Sequence, residues 1–521
     1  MSEKEYTVIV NAGVDLKQVE AELTASIGSG PIPNRSVDIA NPRPGSRRQT
    51  HFALTDAEAK ELSKDSRIMA VEIPPEQRDD IQIGLYATQT GQFTRTSTLN
   101  QNYVNWGLLR TNMLENYYGN NTTANNNFEY ALDGTGVDVV IQDSGIEANH
   151  PEWQDYAGVS RLQQIDWYTA SGIAGTQSVN HYRDYDGHGS HCAGIATGKT
   201  YGWAKNARIY AQKLSGLEGS GDSGTGISVT DAFDTIRLWH NNKAVDPITG
   251  YKRPTVVNMS WGYGSVIDGP PSNGSYRGTA WTWGVDYTED AALWAGTGIV
   301  IPTVTATARL FPNRVASVDV EVDDMITDGI HITIAAGNDY YKGDISTGDD
   351  YNNSVTYGAT TINYHRGSSP HSDSAFSVGN IASQTELDGS IYKDSLRGDS
   401  TRGPMVQIWA PGTDIVSVCS NTNAGYTTEN YPDDTSYRIM SIGGTSMAAP
   451  QVAGVIALHL QANPGLTPAE IKTRIIADAK NVIFDTASDT DYTAFNTSLM
   501  GASNNMLWNR YGRQPLIRKN Q

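Results

Sequence analysis

The sequence predicts an α/β protein in which a parallel β-sheet is flanked by helices and preceded by a small α+β unit. From about residue 102 onward, short apolar runs alternate with segments of helical period. This alternation is typical of a parallel sheet with helices on both faces. Residues 5–76 instead show strand-like and helical patterns in the order β-α-β-β-α-β, the ferredoxin-like order.

The N-terminal unit, residues 1–76, is predicted from four strand patterns and two helical ones. Asp15 opens the first helix, and Thr55 with Glu58 forms a capping box that starts the second. Strands are predicted at Glu5–Val10, Ser36–Ala40, Gln49–Leu54 and Ile68–Ile73. Pro74 and Pro75 end the unit, and residues 77–101 are interpreted as a polar linker because no period is sustained there.

The large unit, residues 102–480, contains the alternating pattern, and residues 481–521 form an appendage of weak periodicity. A capping box of Thr467 and Glu470 opens its last helix. Strands are predicted at Val137–Gln142, Arg208–Leu214, Thr255–Ser260 and His331–Ala336, and helices at Val229–His240 and Met447–Gln461.

Composition excludes several classes of protein. The 521 residues carry 38 basic and 57 acidic side chains, a formal net charge of −19, which disfavours a nucleic-acid partner because phosphates need a basic face. Hydrophobic residues make up 38% of the chain, but no apolar run approaches the roughly 20 residues of a membrane span. The sequence therefore predicts no nucleic-acid partner and no membrane insertion.

Asp143, His188 and Ser446 lie where an α/β sheet exposes reactive side chains. Asp143 ends an apolar strand, His188 stands between glycines, and Ser446 follows a glycine-rich entry into a helix. A serine becomes a nucleophile when a base takes its proton, and that base needs a carboxylate to hold its tautomer. Taken alone, these residues could be a turn cap, a loop histidine or metal ligand, and a helix N-cap. Their occurrence in three long signatures favours a catalytic triad.

These segments resemble the signatures of the subtilisin-like serine proteases, whose triad also runs Asp, His, Ser along the chain. His191-Cys-Ala-Gly194 and Thr200-Tyr-Gly-Trp-Ala-Lys205 are most similar to the proteinase K branch. The resemblance covers roughly residues 102–480, and residues 1–76 are similar to the family's inhibitory propeptide. It implies a serine endopeptidase with polypeptide substrates. It also implies that the N-terminal unit acts as an intramolecular inhibitor and is removed by self-cleavage between Glu76 and Asn102.

The resemblance also implies which residues bind the substrate. Asn338 and the Ser446 backbone N–H would hold the oxyanion, although Asn338 alone could be a turn residue. Gly219, Ser220 and Gly221 resemble the edge strand that pairs with an extended substrate. The walls of the S1 pocket would be Ser260, Trp261 and Gly262 on one side and Ala335, Ala336 and Gly337 on the other. These walls supply no carboxylate, so we predict large apolar or aromatic P1 residues.

Two segments are longer than in relatives of this family, at about 263–318 and 339–374. The first contains Trp281, Trp283, Tyr287 and Trp294, and the second contains Asp339, Asp344, Asp349 and Asp350. The aromatic residues could cover the cleft or bind a partner, although aromatic side chains more often form core. No cofactor is expected to be required. The aspartates could bind structural calcium, but their spacing fits no known calcium loop and a solvated acidic turn is expected, so the metal site is unassigned.

Two alternative functions stay open at this point. The same acyl-enzyme could ligate or cyclise peptides if water were excluded, or the chain could be a catalytically silent structural protein. The N-terminus lacks the basic, apolar and small-residue order of a secretory signal. A cytoplasmic or virion-associated location is therefore expected. Cys192, one helical turn after His188, is expected to be a buried residue close to the imidazole.

Overall fold

The computed structural model describes residues 3–26, 33–78, 80, 82–85, 105–112, 130–219, 222–302, 307–388 and 391–511. Among these residues, no helix is both long enough and apolar enough to cross a membrane. Cys192 and Cys419 are both buried and are not bonded to one another.

The N-terminal unit has the predicted β-α-β-β-α-β order. Its strands are Lys4–Val10, Ile39–Asn41, Gln49–Leu54 and Ile68–Glu72, and its helices are Leu16–Thr24 and Asp56–Leu62. Lys4–Val10 pairs with both Gln49–Leu54 and Ile68–Glu72 in an antiparallel sheet. The predicted caps are present: Asp15 accepts from two backbone amides, and Thr55 with Glu58 forms the capping box. Both helices pack on the sheet around their own apolar core.

A mostly parallel eight-stranded sheet forms the centre of the large unit. In spatial order its strands are Ile391–Leu396, Phe376–Asp388, His331–Ala335, Thr255–Met259, Asp138–Asp143, Arg208–Lys213 and Leu162–Gln163, with Ile408–Pro411 also beside Phe376–Asp388. Only Ile391–Leu396 pairs antiparallel. The fold class is thus the predicted one.

Alternating side chains of the central strand connect two separate cores. Val139 and Ile141 belong to the cluster that includes the helices His188–Thr197 and Thr445–Ala462. Val140 points the other way, to the cluster that includes Val229–Asn242 and Ala316–Thr327. Where a strand is covered on both faces, successive side chains are apolar, which explains the run Val139-Val140-Ile141.

The remaining elements complete the large unit. Its other helices are Trp106–Arg110, Trp167–Ser171, Asp290–Thr297 and Pro468–Asp478, with a short 3₁₀ turn at Pro151–Trp153. Two further 3₁₀ turns lie outside it, Pro75–Gln77 at the end of the N-terminal unit and Tyr492–Thr497 in the C-terminal appendage. A three-stranded sheet contains Ile415–Cys419, Thr428–Tyr431 and Asp434–Ile442. In the C-terminal appendage, Ile483, Leu499 and Met506 contribute to the core of the large unit.

The two long segments pair with one another. Asn273–Tyr276 lies between Thr279–Thr282 and Ser354–Tyr357, and Thr360–Ile362 completes this four-stranded sheet. Trp281 is buried in the core of this body, with Trp283, Tyr287 and Trp294 packed against it. The aromatic residues therefore form part of a core, the alternative that the sequence analysis gave to covering the cleft or binding a partner.

The segment 77–101, interpreted from the sequence as a polar linker, contains a strand at Gln82–Leu85 that was not predicted. It pairs antiparallel with Trp261–Ile267, which in turn pairs with Arg309–Pro312. The segment has no strong strand pattern of its own. It is ordered by pairing with a distant strand, which local periodicity does not report.

Candidate active site

Asp143 ends the central strand at the carboxyl edge of the sheet, where an α/β fold exposes functional side chains. Its side chain is fully buried. The backbone N–H of Ser144 donates to Asp143 Oδ1 at 2.7 Å. The carboxylate is therefore held in one orientation by its own turn.

His188 is the first residue of the helix His188–Thr197 and lies against Asp143. Its Nδ1 is 2.9 Å from Asp143 Oδ1 and 3.0 Å from Oδ2. The flanking glycines permit this approach: Gly187 has φ of 102°, and a Cβ on Gly189 would lie 2.2 Å from the carbonyl oxygen of Gly145. The other ring nitrogen, Nε2, is buried and has no hydrogen-bond partner among the described residues.

Ser446 lies in the first turn of the helix Thr445–Ala462, after Gly444. Its Oγ donates to the carbonyl oxygen of Ser260 at 3.0 Å, and Ser260 Oγ donates back to the Ser446 carbonyl at 3.0 Å. The hydroxyl is thus not bonded to His188 in this conformation. Hydrogen bonds of this kind are often formed only when substrate is bound.

Cys192 lies close to both His188 and Ser446. Its sulfur is 3.8 Å from His188 Nδ1 and 3.4 Å from the carbonyl oxygen of Ser446. The side chain is fully buried, and burial raises the pKa of its thiol. This placement agrees with the expectation of a buried cysteine close to the imidazole.

Charge around the two histidines differs sharply. Burial disfavours the charged form of His188, but Asp143 outweighs burial and raises its pKa well above the ordinary value. Burial lowers the pKa of His191 to about 3, and its Nε2 contacts the carbonyl oxygens of Ile415 and Met440. Only His188 is placed to exchange protons at this site.

The orientation of the Asn338 amide is set by Thr445. Asn338 Oδ1 accepts from the backbone N–H of Thr445 at 2.9 Å and from its hydroxyl at 3.0 Å. An atom that accepts from an N–H must be the oxygen, so Nδ2 is the free end of the amide. Nδ2 is buried and has no partner among the described residues. An unpaired buried donor is costly unless it serves a ligand.

The predicted substrate-binding residues are placed unevenly. Gly219 is described, with φ of 80°, whereas Ser220 and Gly221 lie outside the described residues. Ser260 contacts Ser446, and Gly262 pairs with Gly84. The second wall lies beside the serine helix, because Gly337 N–H donates to Thr445 Oγ1 at 3.2 Å and Ala335 and Ala336 directly precede it.

Two details of the S1 walls go beyond what the sequence predicted. The side chain of Trp261 is fully buried, and its indole N–H donates to Gln142 Oε1 at 3.1 Å, so this residue offers the cleft only its backbone. A carboxylate also lies next to the second wall, since Asp339 Oδ2 would be 3.4 Å from a Cβ on Gly337. Sequence reasoning assigned Asp339 to an insertion because the turn that folds it back is not visible in the pattern.

Several supporting residues were missed by the sequence analysis. Asp184 is buried and accepts from the hydroxyls of Ser144 and Ser190, which connects the turn after Asp143 to the helix of His188. Thr445 orients Asn338. The role of Thr445 could have been suspected from its position directly before Ser446. The pairing of Asp184 with Ser144 joins residues far apart in the chain and leaves no local pattern in the sequence.

Two of the four aspartates considered for calcium, Asp344 and Asp350, have other partners. Asp350 is fully buried and forms ion pairs with Arg277 at 2.7 Å and Lys342 at 2.6 Å. Asp344 accepts from the backbone N–H groups of Ile345 and Asp350. Among the described residues, the one group that brings three ligand atoms of acidic, histidine or cysteine side chains together is Asp143, His188 and Cys192.

Comparison with known proteins agrees with this geometry. The model of the subtilase family matches residues 134–498, more than half of the chain. Subtilisin-like proteinase 1 of Encephalitozoon cuniculi is 26% identical over 415 residues, which cover 78% of this chain and 72% of that protein. Cerevisin of Saccharomyces cerevisiae is 24% identical over 404 residues. The match covers 75% of this chain but 46% of cerevisin, so this chain spans about half of that relative.

A solved structure is similar along nearly the whole chain. Fervidolysin from Fervidobacterium pennivorans, a keratinolytic enzyme related to subtilisin, has a TM-score of 0.52 and 15% sequence identity. The similarity covers 99% of this chain and 62% of fervidolysin. At this identity the likeness concerns the fold alone.

Proposed function

We propose, from the premise that the chain belongs to the subtilase family, that it is a serine endopeptidase whose catalytic triad is Asp143, His188 and Ser446. One observation carries the proposal: both carboxylate oxygens of Asp143 face His188 Nδ1, and Nε2 has no partner within the described residues. A base held in this way has its free nitrogen available for the serine proton.

The reaction follows from these positions. A rotation of the Ser446 side chain moves Oγ from the Ser260 carbonyl to His188 Nε2. Nε2 takes the hydroxyl proton while Oγ bonds to the substrate carbonyl carbon, and Asp143 stabilises the imidazolium. As the C–N bond breaks, Nε2 gives the proton to the leaving amine. Water then cleaves the acyl-enzyme by the same two proton transfers in reverse.

The developing oxyanion would be bound by Asn338 Nδ2 and by the backbone N–H of Ser446. Support comes from the fixed amide orientation, because Thr445 occupies Oδ1 and leaves Nδ2 unpaired. Donors that are already aligned and shielded from water need no reorganisation when the charge forms.

The experiment for the triad is the substitution Ser446→Ala. It should abolish peptide hydrolysis and labelling by an organophosphorus reagent, because it removes the nucleophilic oxygen and little volume. Ser346→Ala, at an exposed position on the large unit, is the matched control and should retain both. Hydrolysis by Ser446→Ala at the wild-type rate would refute the assignment.

We further propose that residues 3–85 inhibit the enzyme before self-cleavage. Support comes from the strand Gln82–Leu85, which pairs with Trp261–Gly264 in the register Leu85 to Trp261 and Gly84 to Gly262. An extended chain paired in this way occupies the strand that a substrate backbone would use. Tethering raises its effective concentration to the millimolar range.

The register narrows the cleavage site. Ser260 contacts the nucleophile Ser446 directly, so a residue paired with Ser260 would present its carbonyl to that nucleophile. Leu85 pairs with Trp261, and one further step along the sequence is Tyr86. We therefore propose cleavage after Tyr86, inside the range Glu76 to Asn102 predicted from the sequence.

Intact-mass analysis tests self-cleavage. Wild-type protein should lose residues 1–86, and Ser446→Ala should keep its full length. A wild type that is active and uncleaved would show that the N-terminal unit is permanent. Cleavage elsewhere in 76–101 would retain self-processing but reject the register argument.

A further inference from the structure

The strand that holds the N-terminal segment is not an edge of its sheet. Trp261–Ile267 pairs with Gln82–Leu85 on one side and with Arg309–Pro312, from the first long segment, on the other. Gly264 is paired on both sides, with Gln82 and with Pro312. The inserted strand therefore supports the binding strand beyond Gly262, where the predicted S1 wall ends.

Beyond the paired residues, Ser265 makes a side-chain contact to the docked segment. Its Oγ donates to the backbone carbonyl of Asp80 at 2.6 Å, and the side chain is buried. Asp80 itself is exposed and its carboxylate pairs with Arg78. Ser265 thus binds the main chain of the docked segment, and the contact does not depend on which side chain stands at position 80.

Asn313 directs this hydroxyl. Asn313 Nδ2 donates to Ser265 Oγ at 2.6 Å, so the oxygen accepts from Asn313 and its proton points to the carbonyl of Asp80. The backbone of Asn313 is fixed in turn: its N–H donates to the Tyr263 carbonyl at 3.0 Å, and its carbonyl accepts from Ser369 N–H at 2.9 Å. Tyr263 N–H also donates to the carbonyl of Ser369.

Both long segments therefore build this contact. Asn313 belongs to the first and Ser369 to the second, and neither lies near the Asp143–His188 pair in the chain. Counting the residue opposite Ser260 as P1, Leu85 is the second and Asp80 the seventh residue before the scissile bond.

We propose that Ser265 and Asn313 form a further substrate subsite, which binds the backbone carbonyl of the seventh residue before the scissile bond. The inference rests on the proposed protease function and names its substrate class: unfolded or extended polypeptides with at least seven residues free on the amino side of the cut. Short peptides lack the carbonyl that this subsite binds. Specificity by length follows, without a requirement for any side chain at that position.

The test compares two peptides that share their sequence from P6 through the primed side and differ in having six or seven residues before the cut, so that both can make the pairing seen between Gln82 and Gly264. With self-processed wild-type enzyme, the longer peptide should have a kcat/KM roughly three- to tenfold higher, the effect of one or two hydrogen bonds. Ser265→Ala and Asn313→Ala should remove that gain and leave the kcat/KM of the shorter peptide unchanged.

Ser272→Ala, at an exposed position in the same long segment, is the matched control and should keep the gain. Equal kcat/KM for both peptides in the wild type, or a length gain retained by Ser265→Ala, would overturn the subsite. Absence of hydrolysis of both peptides, with Ser446 unlabelled by an organophosphorus reagent, would instead refute the protease function. The two failures are therefore distinguishable.

Discussion

The catalytic centre and the face that docks the N-terminal unit differ in where their charged contacts lie: within one unit at the centre, and between the two units at the docking face. At the centre, Asp143, His188 and Ser446 are fully buried, and the charged pair of Asp143 and His188 is enclosed by hydrogen bonds and close packing of small residues. The docking face, on the helices Val229–Asn242 and Ala316–Thr327, is formed largely by ion pairs. Its carboxylates are Asp231, Asp234, Glu321, Asp324 and Asp328.

Arginines of both units neutralise this face. Arg237 of the large unit reaches Glu321 at 3.1 Å and Asp328 at 3.0 Å. Arg43 of the N-terminal unit, itself buried, reaches Asp231 at 2.8 Å and Asp234 at 3.0 Å, and Arg47 pairs with Asp328. Within the large unit, Arg237 pairs with four of these five carboxylates, so departure of the N-terminal unit leaves excess negative charge.

This difference in contacts matches the two roles: the catalytic site must keep its geometry, whereas the interface with the N-terminal unit must come apart after self-cleavage. Contacts that are fully enclosed are screened little by salt, which suits a site that has to keep its geometry through every cycle. Ion pairs at an interface between units respond to salt and to the loss of one partner. Changes at the centre should therefore alter turnover without altering docking, and changes at the docking face should do the reverse.

The largest effect after loss of the nucleophile is expected from Asp143→Asn. We predict a fall of about 10⁴ in kcat, because an amide cannot hold the required tautomer or stabilise the imidazolium. Asp143 raises the pKa of His188, so its loss should also move the acid limb of the kcat/KM profile to lower pH. If Asp143→Asn kept more than a tenth of the wild-type kcat and the acid limb of its kcat/KM profile did not shift, Asp143 would not be the partner of His188 in catalysis.

A smaller effect at the same centre is expected from Asn338→Ala. Loss of one oxyanion donor should lower kcat by roughly 10²–10³ while KM changes little, because the donor acts on the charge that develops during the reaction. Asn241→Ala, at an exposed helix position, is the control. An unchanged kcat would remove Asn338 from the site.

The docking face should respond to Arg43→Ala. Its removal leaves the buried Asp234 without its partner from the N-terminal unit, a type of loss that costs about 2–5 kcal/mol. The cleaved N-terminal unit should then bind about 30-fold or more weakly, measured by its inhibition of the processed enzyme, and kcat should not change.

Arg35→Ala provides the matched control, because Arg35 pairs with Glu3 and Glu58 inside the N-terminal unit. Wild-type inhibition should also weaken as salt rises, and less so in Arg43→Ala. If neither the substitution nor salt affects inhibition, the affinity of the N-terminal unit would come instead from the strand Gln82–Leu85 paired with Trp261–Ile267.

The same contrast explains what the sequence could predict. Asp143, His188 and Ser446 stand in long local patterns of buried strand, glycines and helix start, and such patterns are visible in one sequence. The strand Gln82–Leu85 and the pairing of Asn273–Tyr276 with Ser354–Tyr357 depend on partners far along the chain. The ion pairs of Arg43 likewise join residues nearly two hundred positions apart, and a lone arginine gives no sign of them.

The smallest effect concerns Asp339, which the sequence analysis did not place beside the S1 wall. Burial, with a secondary contribution from Asp399, raises the pKa of Asp339 to about 7. The carboxyl is therefore mainly neutral below pH 7, where large apolar or aromatic P1 residues should be preferred as predicted. Above pH 7 the carboxylate becomes charged, and it should improve binding of Lys or Arg at P1.

A peptide library profiled at pH 6 and pH 8.5 measures this shift. We expect kcat/KM for basic P1 residues to rise a few-fold relative to Tyr or Phe as pH rises, since one partly solvated carboxylate contributes about 1 kcal/mol. Asp339→Asn should remove the relative change, because its side chain stays neutral at both pH values. A basic preference that persists in Asp339→Asn would assign it to another residue, and a profile dominated by basic P1 at pH 6 would refute the apolar pocket itself.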